Sequence, residues 1–325
     1  MASIPSNPLA GAPLQRHRDP KEEPPPDVER WSAFWRDMYH SHEMREYRDA
    51  LCLPGSDDIR ASILDDLSTY FHLTTNDCRN LAVNWGEACI NEWTSAADPI
   101  EFHRSTQSSS FSLLWYAYLQ ATGFYFPVSP AIARLIPRAD GAKHLDLGSG
   151  AGVTSQLFQQ LGYDTTLADI AVTTLDFARY RFARRSQPAT FLDLNIATLP
   201  AAEYDVITAI DVLFIVPDFP ALVASIHRAL KPGGLLYANI MVPADPEAAP
   251  WHLYRDERPL RRALQIAGFE PVLRLSERYG EIYTRVEDHG VVHTLRAARD
   301  AVQFSPLRSL GRAVIGAQRH VWHET

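Results

Sequence analysis

The 325-residue chain has few cysteines, no long apolar run and no excess of positive charge. Its three cysteines lack the paired spacing of a zinc site, and an odd number without an apolar signal segment favours free thiols. No apolar run approaches the length that crosses a membrane. With 31 Lys and Arg against 39 Asp and Glu, the net charge of −8 argues against a large nucleic-acid-binding surface. We therefore expect a soluble, cytoplasmic protein without nucleic-acid or membrane partners.

Residues 1–27 are rich in proline and poor in large apolar side chains. Such a segment cannot bury enough surface to offset the entropy of ordering, so we expect a disordered leader. The arginines between 296 and 319 favour a solvated helix face, within a helical tail at 290–325.

Residues 28–126 show apolar side chains at three- and four-residue steps, which predicts helices with buried stripes. The first helix carries Trp31, Phe34, Trp35, Met38 and Tyr39. Ser56 is the expected cap of the second. The third is expected to run unbroken from Cys78 through Trp93. Asp98-Pro99 should open a fourth that continues to Gly123.

The most informative motif is His144-Leu-Asp-Leu-Gly-Ser-Gly-Ala-Gly152, an apolar run that leads into three alternating glycines. It predicts a strand, a tight turn and a helix start, with a ligand lying flat against the backbone. The carboxylate of Asp146 is a poor neighbour for pyrophosphate and a good one for an ammonium group. Val153 stands where a dinucleotide fingerprint has glycine, and no P-loop lysine follows. An ordinary strand-to-helix turn remains the alternative for the motif alone.

Further apolar runs that end in acids follow this turn at regular intervals. Residues 165–169 end in Asp169, about twenty residues on, where a carboxylate can meet ribose hydroxyls. Residues 190–193 end in Asp193, and residues 204–211 end in Asp211. Leu230-Lys-Pro-Gly-Gly234 is expected to end a helix and start a fifth strand at Leu235. A helix near 256–267 and strands near 272–277 and 281–286 complete the pattern.

In this order and spacing, the elements between about 130 and 287 resemble the class I S-adenosylmethionine-dependent methyltransferases. The resemblance implies an α/β fold at 127–289: a Rossmann-like, doubly wound, seven-stranded sheet whose last strand is antiparallel. It makes residues 28–126 a helical lid that builds the acceptor pocket. It also implies S-adenosylmethionine as cofactor, with Asp169 on the ribose and Asp193 on the adenine amino group. The implied cofactor-binding residues are Asp146, Gly148, Ser149, Gly150, Gly152, Asp169, Ile170, Asp193, Leu194 and Asp211.

Aromatic residues are concentrated just before the first strand, and aromatic faces stabilise a sulfonium cation. We predict that the substrate pocket contains Trp115, Tyr116, Tyr125 and Phe126, although core packing is the alternative for each ring. The loop after the fifth strand should add Trp251, His252 and Tyr254. The catalytic candidates are Asp211, Tyr116 and His252, the last as a general base. No metal is expected, since Asp211 and Asn239 lack the further acids of a metal site.

These residues favour methyl transfer to a small, partly apolar metabolite. An alternative on the same scaffold is that S-adenosylmethionine cyclises to azetidine-2-carboxylate and methylthioadenosine. This alternative stays open because Phe214-Ile215 replaces the histidine pair of many family members. The intact acids argue against a non-catalytic interaction protein, and Asp146 and Val153 argue against a nicotinamide oxidoreductase. Monomer and homodimer both remain open.

Overall fold

The computed structural model describes residues 16–21, 27–137, 141–240, 249–276 and 280–286. Within them, an N-terminal group of helices precedes a seven-stranded sheet with helices on both faces. In the described ranges, no helix is both long and apolar enough to cross a membrane.

The N-terminal helices begin with one 3-10 turn at Val28–Arg30 and continue as eight α-helices. These are α1 Ala33–Tyr39, α2 His42–Leu51, α3 Ile59–Phe71, α4 Thr75–Val83, α5 Trp85–Ser95, α6 Pro99–Ser105, α7 Ser108–Ala121 and α8 Val128–Leu135. Asp98 caps α6 as predicted, since its carboxylate accepts from the amide of Glu101 at 2.9 Å. The cap of α3 is Asp58 instead of Ser56, because the Asp58 carboxylate accepts from the amide of Ala61 at 2.9 Å.

Two of the predicted long helices are broken, and those predictions are wrong. Asn84 ends α4 and α5 starts at the next residue. The break between α6 and α7 has a tertiary cause: Glu92 of α5 accepts from the amides of Gln107 and Ser108 at 3.1 and 3.0 Å. Its carboxylate thus satisfies free N–H groups at the start of α7, as a cap does.

The sheet has the order β3-β2-β1-β4-β5-β7-β6, and β7 runs antiparallel to both β5 and β6, whereas the other pairs of described strands are parallel. This confirms the predicted fold class. The strands are β1 Lys143–Leu147, β2 Asp164–Asp169, β3 Thr190–Asp193, β4 Tyr204–Ala209, β5 Leu230–Ala238, β6 Phe269–Ser276 and β7 Gly280–Arg285. The helices between them are α9 Val153–Gln160, α10 Val172–Arg184, α11 Phe219–Ala229 and α12 Arg258–Ile266.

The Lys-Pro-Gly-Gly stretch lies inside β5 and does not precede it. Pairing with β4 jumps from Tyr204↔Leu230 to Val206↔Leu235, so the four residues form an irregularity in the strand. The expected strand start at Leu235 is therefore five residues late.

Residues 16–21 pack against the helices, so the expectation of a disordered leader is wrong for this segment. The His17 amide donates to the carbonyl of Val83 at 2.9 Å, and the Trp115 indole donates to the carbonyl of Arg18 at 2.8 Å. Asp19 is buried and forms ion pairs with Arg60 and Arg79. These bonds offset the ordering entropy that composition alone leaves uncompensated. Residues 1–15 and 22–26 and the expected tail at 290–325 lie outside the described residues.

The helices before β1 share a core with the sheet. One buried cluster joins Ile63 and Trp115 of the N-terminal helices to Val206 and Tyr237 of the sheet. A second cluster, around Ile207, Val223 and Leu264, fills the opposite face. The N-terminal helices are therefore fixed to the sheet face on which α7 lies.

Candidate active site

The turn after β1 can be built only with glycine. Gly148 and Gly150 have φ angles of 67° and 49°, in the left-handed region. A Cβ on Gly148 would lie 2.2 Å from Val212, which follows β4. A Cβ on Gly150 would lie 2.5 Å from Leu113 of α7. The turn is thus enclosed between the sheet and the N-terminal helices, which are hereafter called the lid. Its glycines leave the backbone in direct contact with Val212 and Leu113.

Asp146 lies at the end of β1 and is almost fully buried. The hydroxyls of Ser155 and Thr208 donate to its two carboxylate oxygens at 2.6 and 2.9 Å. Burial raises the pKa of this carboxyl to about 6, and the two hydroxyls only partly oppose the shift. A buried carboxyl with a raised pKa favours a nearby cation, because the cation stabilises its charged form.

Asp169 joins the end of β2 to the glycine turn. One carboxylate oxygen accepts from the amide of Gly150 at 2.9 Å, and the other accepts from the amide of Ala171 at 2.9 Å. Burial raises the pKa of this carboxyl, and the backbone bonds oppose that shift. Each oxygen has a second lone pair that a ligand hydroxyl can use.

Asp193 ends β3 in a turn closed by a residue that sequence reasoning missed. Asn195 donates its amide and its side-chain N–H to one Asp193 oxygen, at 2.8 and 2.7 Å. The Asn195 side chain also donates to the carbonyl of Ile170 and accepts from Arg104 of α6 at 2.6 Å. The amide of Leu194 donates to the carbonyl of Asp169 at 2.9 Å. The ends of β2 and β3 and the lid therefore meet here; the local signal was the Asp-x-Asn spacing of an Asx turn.

Asp211 has a left-handed backbone, with φ of 57°, directly after β4. Its amide donates to the side-chain oxygen of Asn239 at 2.7 Å, and the Asn239 side-chain N–H donates back to its carboxylate. Solvent reaches Asp211, yet burial raises the pKa of its carboxyl, and the hydrogen bond from Asn239 opposes that shift. Asn239 therefore holds this carboxylate in a strained position at the carboxyl edge of the sheet.

Five half-buried rings contact one another and are hereafter called the ring cluster: His17, Trp85, Tyr116, Tyr125 and Trp251. Ring centroids are 5.6 Å apart for His17 and Trp85 and 6.0 Å apart for His17 and Tyr116. Tyr116 and Tyr125 are 5.2 Å apart, and Trp85 and Trp251 are 6.0 Å apart. Burial lowers the pKa of His17 to about 4, so this imidazole is neutral at pH 7. The cluster is an aromatic, uncharged surface.

The structure separates the other predicted pocket residues from the ring cluster. Trp115 has no exposed surface, so the prediction that it lines a pocket is wrong; consecutive helix positions point about 100° apart. Phe126 packs on Trp31 and Trp35, with centroids 4.7 and 4.8 Å away. The Tyr254 hydroxyl donates to the carbonyls of Val216 and Pro217, at 3.0 and 2.9 Å. The Tyr254 hydroxyl therefore stabilises the loop after β4.

His252 is buried next to the ring cluster, with its ring 4.4 Å from that of Phe214. Its neighbour Trp251 stacks on Phe102 of α6 at 6.2 Å. Burial, and then the proximity of His252, lower the pKa of His103 to about 4. Two imidazoles thus lie side by side between α6 and the loop before α12. Sequence reasoning missed His103 and Phe102, since only the tertiary fold brings α6 to this loop.

Residues 124–274 match the sequence model of a family described as a methyltransferase domain. The ubiquinone biosynthesis O-methyltransferase of Idiomarina loihiensis is 34% identical over 104 residues, which are 31% of this chain and 43% of that protein. The one from Xanthomonas oryzae is 28% identical over 141 residues, 42% of this chain and 53% of that protein. The chain spans about half the length of the curated relatives that it matches.

A solved phosphoethanolamine N-methyltransferase of Haemonchus contortus, in complex with S-adenosylmethionine, is 17% identical with a TM-score of 0.45, over 70% of this chain and 57% of that chain. The matched region carries the glycine turn, the three acids and the strands β1 to β5. It is a class I S-adenosylmethionine-dependent methyltransferase domain. The methyltransferase domain takes S-adenosylmethionine as its cofactor.

The residues of the methyltransferase domain fit this cofactor. The hydroxyl oxygen of Ser149 is buried in the glycine turn and has no hydrogen-bond partner among the described residues. A buried hydroxyl without a partner is costly unless a ligand satisfies it. Carboxylates stand at or next to the ends of β1, β2 and β3. S-adenosylmethionine has an ammonium group, ribose hydroxyls and an adenine amino group, each of which needs an acceptor. The donors and acceptors present are therefore of the kinds that this cofactor requires.

Proposed function

We propose that this chain is an S-adenosylmethionine-dependent methyltransferase that acts on a small, partly apolar metabolite. The observation that carries the proposal is the position of α7. Leu113 of this helix contacts Gly150 of the cofactor turn, and Tyr116, one helical turn on, belongs to the ring cluster. An acceptor held by the rings would therefore lie along the same helix that contacts the cofactor turn.

The acids of the sheet have the cofactor roles that their strands suggest. Asp146 faces the ammonium group, Asp169 the ribose hydroxyls and Asp193 the adenine amino group. Ile170 and Leu194 flank the last two acids. S-adenosylmethionine supplies a methyl group bonded to a sulfonium, which leaves as a neutral thioether. The protein has to align the acceptor with that bond and exclude water from it.

The acceptor site lies between the ring cluster and Asp211. Burial, and then the nearby Asp211 and Tyr116, raise the pKa of the Tyr237 hydroxyl, so one tyrosine of β5 is close to both sides of the site. Aromatic walls favour a flat or apolar acceptor, and the Asp211 carboxylate orients its polar group. His252, one residue from a ring of the cluster, is the general base that accepts a proton from the attacking atom.

Product analysis by mass spectrometry tests this proposal. The purified chain is incubated with S-adenosylmethionine alone, and then with a panel of small phenols, catechols and aromatic amines. We expect S-adenosylhomocysteine only in the presence of an acceptor. Methylthioadenosine and azetidine-2-carboxylate formed together from the cofactor alone would instead establish the cyclisation and contradict methyl transfer.

Two tyrosines on opposite sides of α7 provide a matched pair of variants. Tyr116→Leu should raise the KM for the acceptor about tenfold, the loss expected for a large aromatic contact. Tyr118 is buried against Trp115, at 5.1 Å between ring centroids, so Tyr118→Leu should lower the thermal stability and leave that KM unchanged. If both variants changed the KM for the acceptor equally, the ring cluster would not be part of the acceptor site.

A further inference from the structure

A buried ion cluster lies between the lid and the methyltransferase domain. Asp66 of α3 and Arg181 of α10 have no exposed side-chain surface, and their charged atoms are 3.2 Å apart. Arg184 and Arg185 also bind Asp66, each at 2.8 Å. Charges removed from water are retained only with close partners, because an unpaired buried charge is strongly destabilising. One carboxylate of the lid therefore binds three arginines. Two of them belong to α10, and Arg185 directly follows that helix.

Arg181 is the arginine of this cluster that also binds the backbone of the glycine turn. Its guanidinium donates to the carbonyl of Ala151 at 2.5 Å. Ala151 lies between Gly150 and Gly152, at the centre of the cofactor turn. Among the described residues, two side chains bind the backbone of this turn: Asp169 at the amide of Gly150 and Arg181 at the carbonyl of Ala151.

A glycine turn has little intrinsic preference for one shape, so its peptide planes need external bonds to fix them. We propose that Arg181 is a positioning residue for S-adenosylmethionine, and that Asp66 of the lid fixes Arg181 in place. The proposal rests on the proposed function, since it concerns the same cofactor turn. It makes cofactor affinity depend on a lid residue separated from the cofactor by the whole turn.

Arg185 provides the contrast within the same cluster. It binds the same oxygen of Asp66, but its other donors go to the carbonyls of Ala50, Leu51 and Cys52, at the end of α2, and to the carbonyl of Arg181 in α10. None of these carbonyls belongs to the cofactor turn. Loss of Arg185 therefore disturbs the ion cluster and the packing of the lid without releasing Ala151.

The test is calorimetric titration of the full chain with S-adenosylhomocysteine, together with thermal unfolding. The variants are Asp66→Asn, Arg181→Lys, the double variant and the control Arg185→Lys. We expect Asp66→Asn and Arg181→Lys each to raise the Kd about tenfold, the equivalent of one charge-assisted hydrogen bond. The double variant should bind no more weakly than Arg181→Lys alone, because both changes act on one bond. Arg185→Lys should lower the Tm and keep the wild-type Kd.

A structural role alone would lower the Tm of all three single variants and leave the Kd of the folded molecules unchanged, which would overturn the proposal. An equal rise in Kd for Arg185→Lys would overturn it too. If Arg181→Lys does not fold, Asp66→Asn, which keeps the shape of the side chain, gives the same answer. Failure of the wild-type chain to bind S-adenosylhomocysteine would count against the proposed function, whereas unchanged Kd values in the variants would count against Arg181 only.

Discussion

The cofactor side and the lid side of this molecule place their functional residues by different rules. On the cofactor side, Asp146, Asp169 and Asp193 each end a parallel strand, and parallel strands end at one edge of the sheet. On the lid side, the ring cluster collects His17, Trp85 and Tyr125 from three separate segments. Local spacing therefore suffices to predict that these acids lie along one edge of the sheet, whereas long-range packing decides which rings meet.

The two sides also differ in how they tolerate change. The glycine turn has an atom within 3 Å of the Cβ position at Gly148 and at Gly150, so a single methyl group disturbs it. The rings of the ring cluster are only half-buried. We expect mutations on the cofactor side to act chiefly on cofactor affinity, and those on the lid side to act on lid attachment or on the acceptor.

The largest expected effect is that of Gly148→Ala. The new Cβ would lie 2.2 Å from Val212 and would stand on a left-handed backbone, so the turn has to move. We expect the affinity for S-adenosylhomocysteine to fall by about 100-fold, the effect of misplacing a site by about 1 Å. Calorimetric titration measures it.

Gly162→Ala is the control for backbone strain. Gly162 has a φ of 93° and no atom within 4 Å of its Cβ position, so its substitution carries the strain without the collision. It should cost about 1 kcal/mol of stability and no cofactor affinity. If both variants lost the same affinity, backbone strain would explain the effect of Gly148→Ala, and the collision with Val212 would not.

The second prediction concerns the pH dependence of cofactor binding through Asp146. Its pKa of about 6 lies above the ordinary value near 4, so the protonated form stabilises the free protein. This contribution to stability is fully present below about pH 4 and is lost as the pH rises through 6. The bound ammonium group requires the charged form, so affinity for S-adenosylhomocysteine should rise about tenfold between pH 5 and 7.

Asp146→Asn should remove most of that rise and make the free protein more stable at pH 7. Calorimetry across this pH range measures the first effect, and thermal unfolding without ligand measures the second. If the variant kept the full wild-type pH dependence, Asp146 would not bind the ammonium group. The pH dependence of affinity would then come from another acid, such as Asp169.

The third prediction moves to the lid side. Asp19→Asn removes the charge that pairs with Arg60 and Arg79, whose side chains are 15% and 24% exposed. We expect a loss of up to about 3 kcal/mol in the attachment of residues 16–21. Limited trypsin digestion should cut after Arg16, Arg18 or Lys21 several-fold faster, with cofactor affinity unchanged. Asp27→Asn, which breaks an exposed pair with Arg30, should digest at the wild-type rate.

The smallest expected effect is that of Tyr254→Phe. Its hydroxyl donates to two backbone carbonyls of the loop after β4, and losing such a bond costs about 1 kcal/mol. Thermal unfolding should show that loss, while the KM of the acceptor identified in the panel stays unchanged. A marked rise in the KM for the acceptor would mean that Tyr254 does contact the acceptor, as the sequence predicted.

Helix boundaries show where sequence reasoning reached its limit. Asp98 acts on its own helix, three residues away, and was predictable. Glu92 caps α7 from fifteen residues upstream, and no local pattern distinguishes it from any other exposed acid. Tyr116 and Trp115 are neighbours in sequence, yet one joins the ring cluster and the other fills the core. Composition describes both residues in the same way, and only the direction of α7 separates them.

The sequence by itself determined the succession of strands along the chain, the glycine turn and the acids near the strand ends, because short apolar runs and glycine positions are local properties. The tertiary structure alone decided that residues 16–21 bring His17 to the acceptor side, that Asn239 holds Asp211, and that Asp66 of the lid reaches the cofactor turn through Arg181. These contacts join residues 28 or more positions apart. Their energy comes from burial and charge pairing, which exist only once the chain has folded.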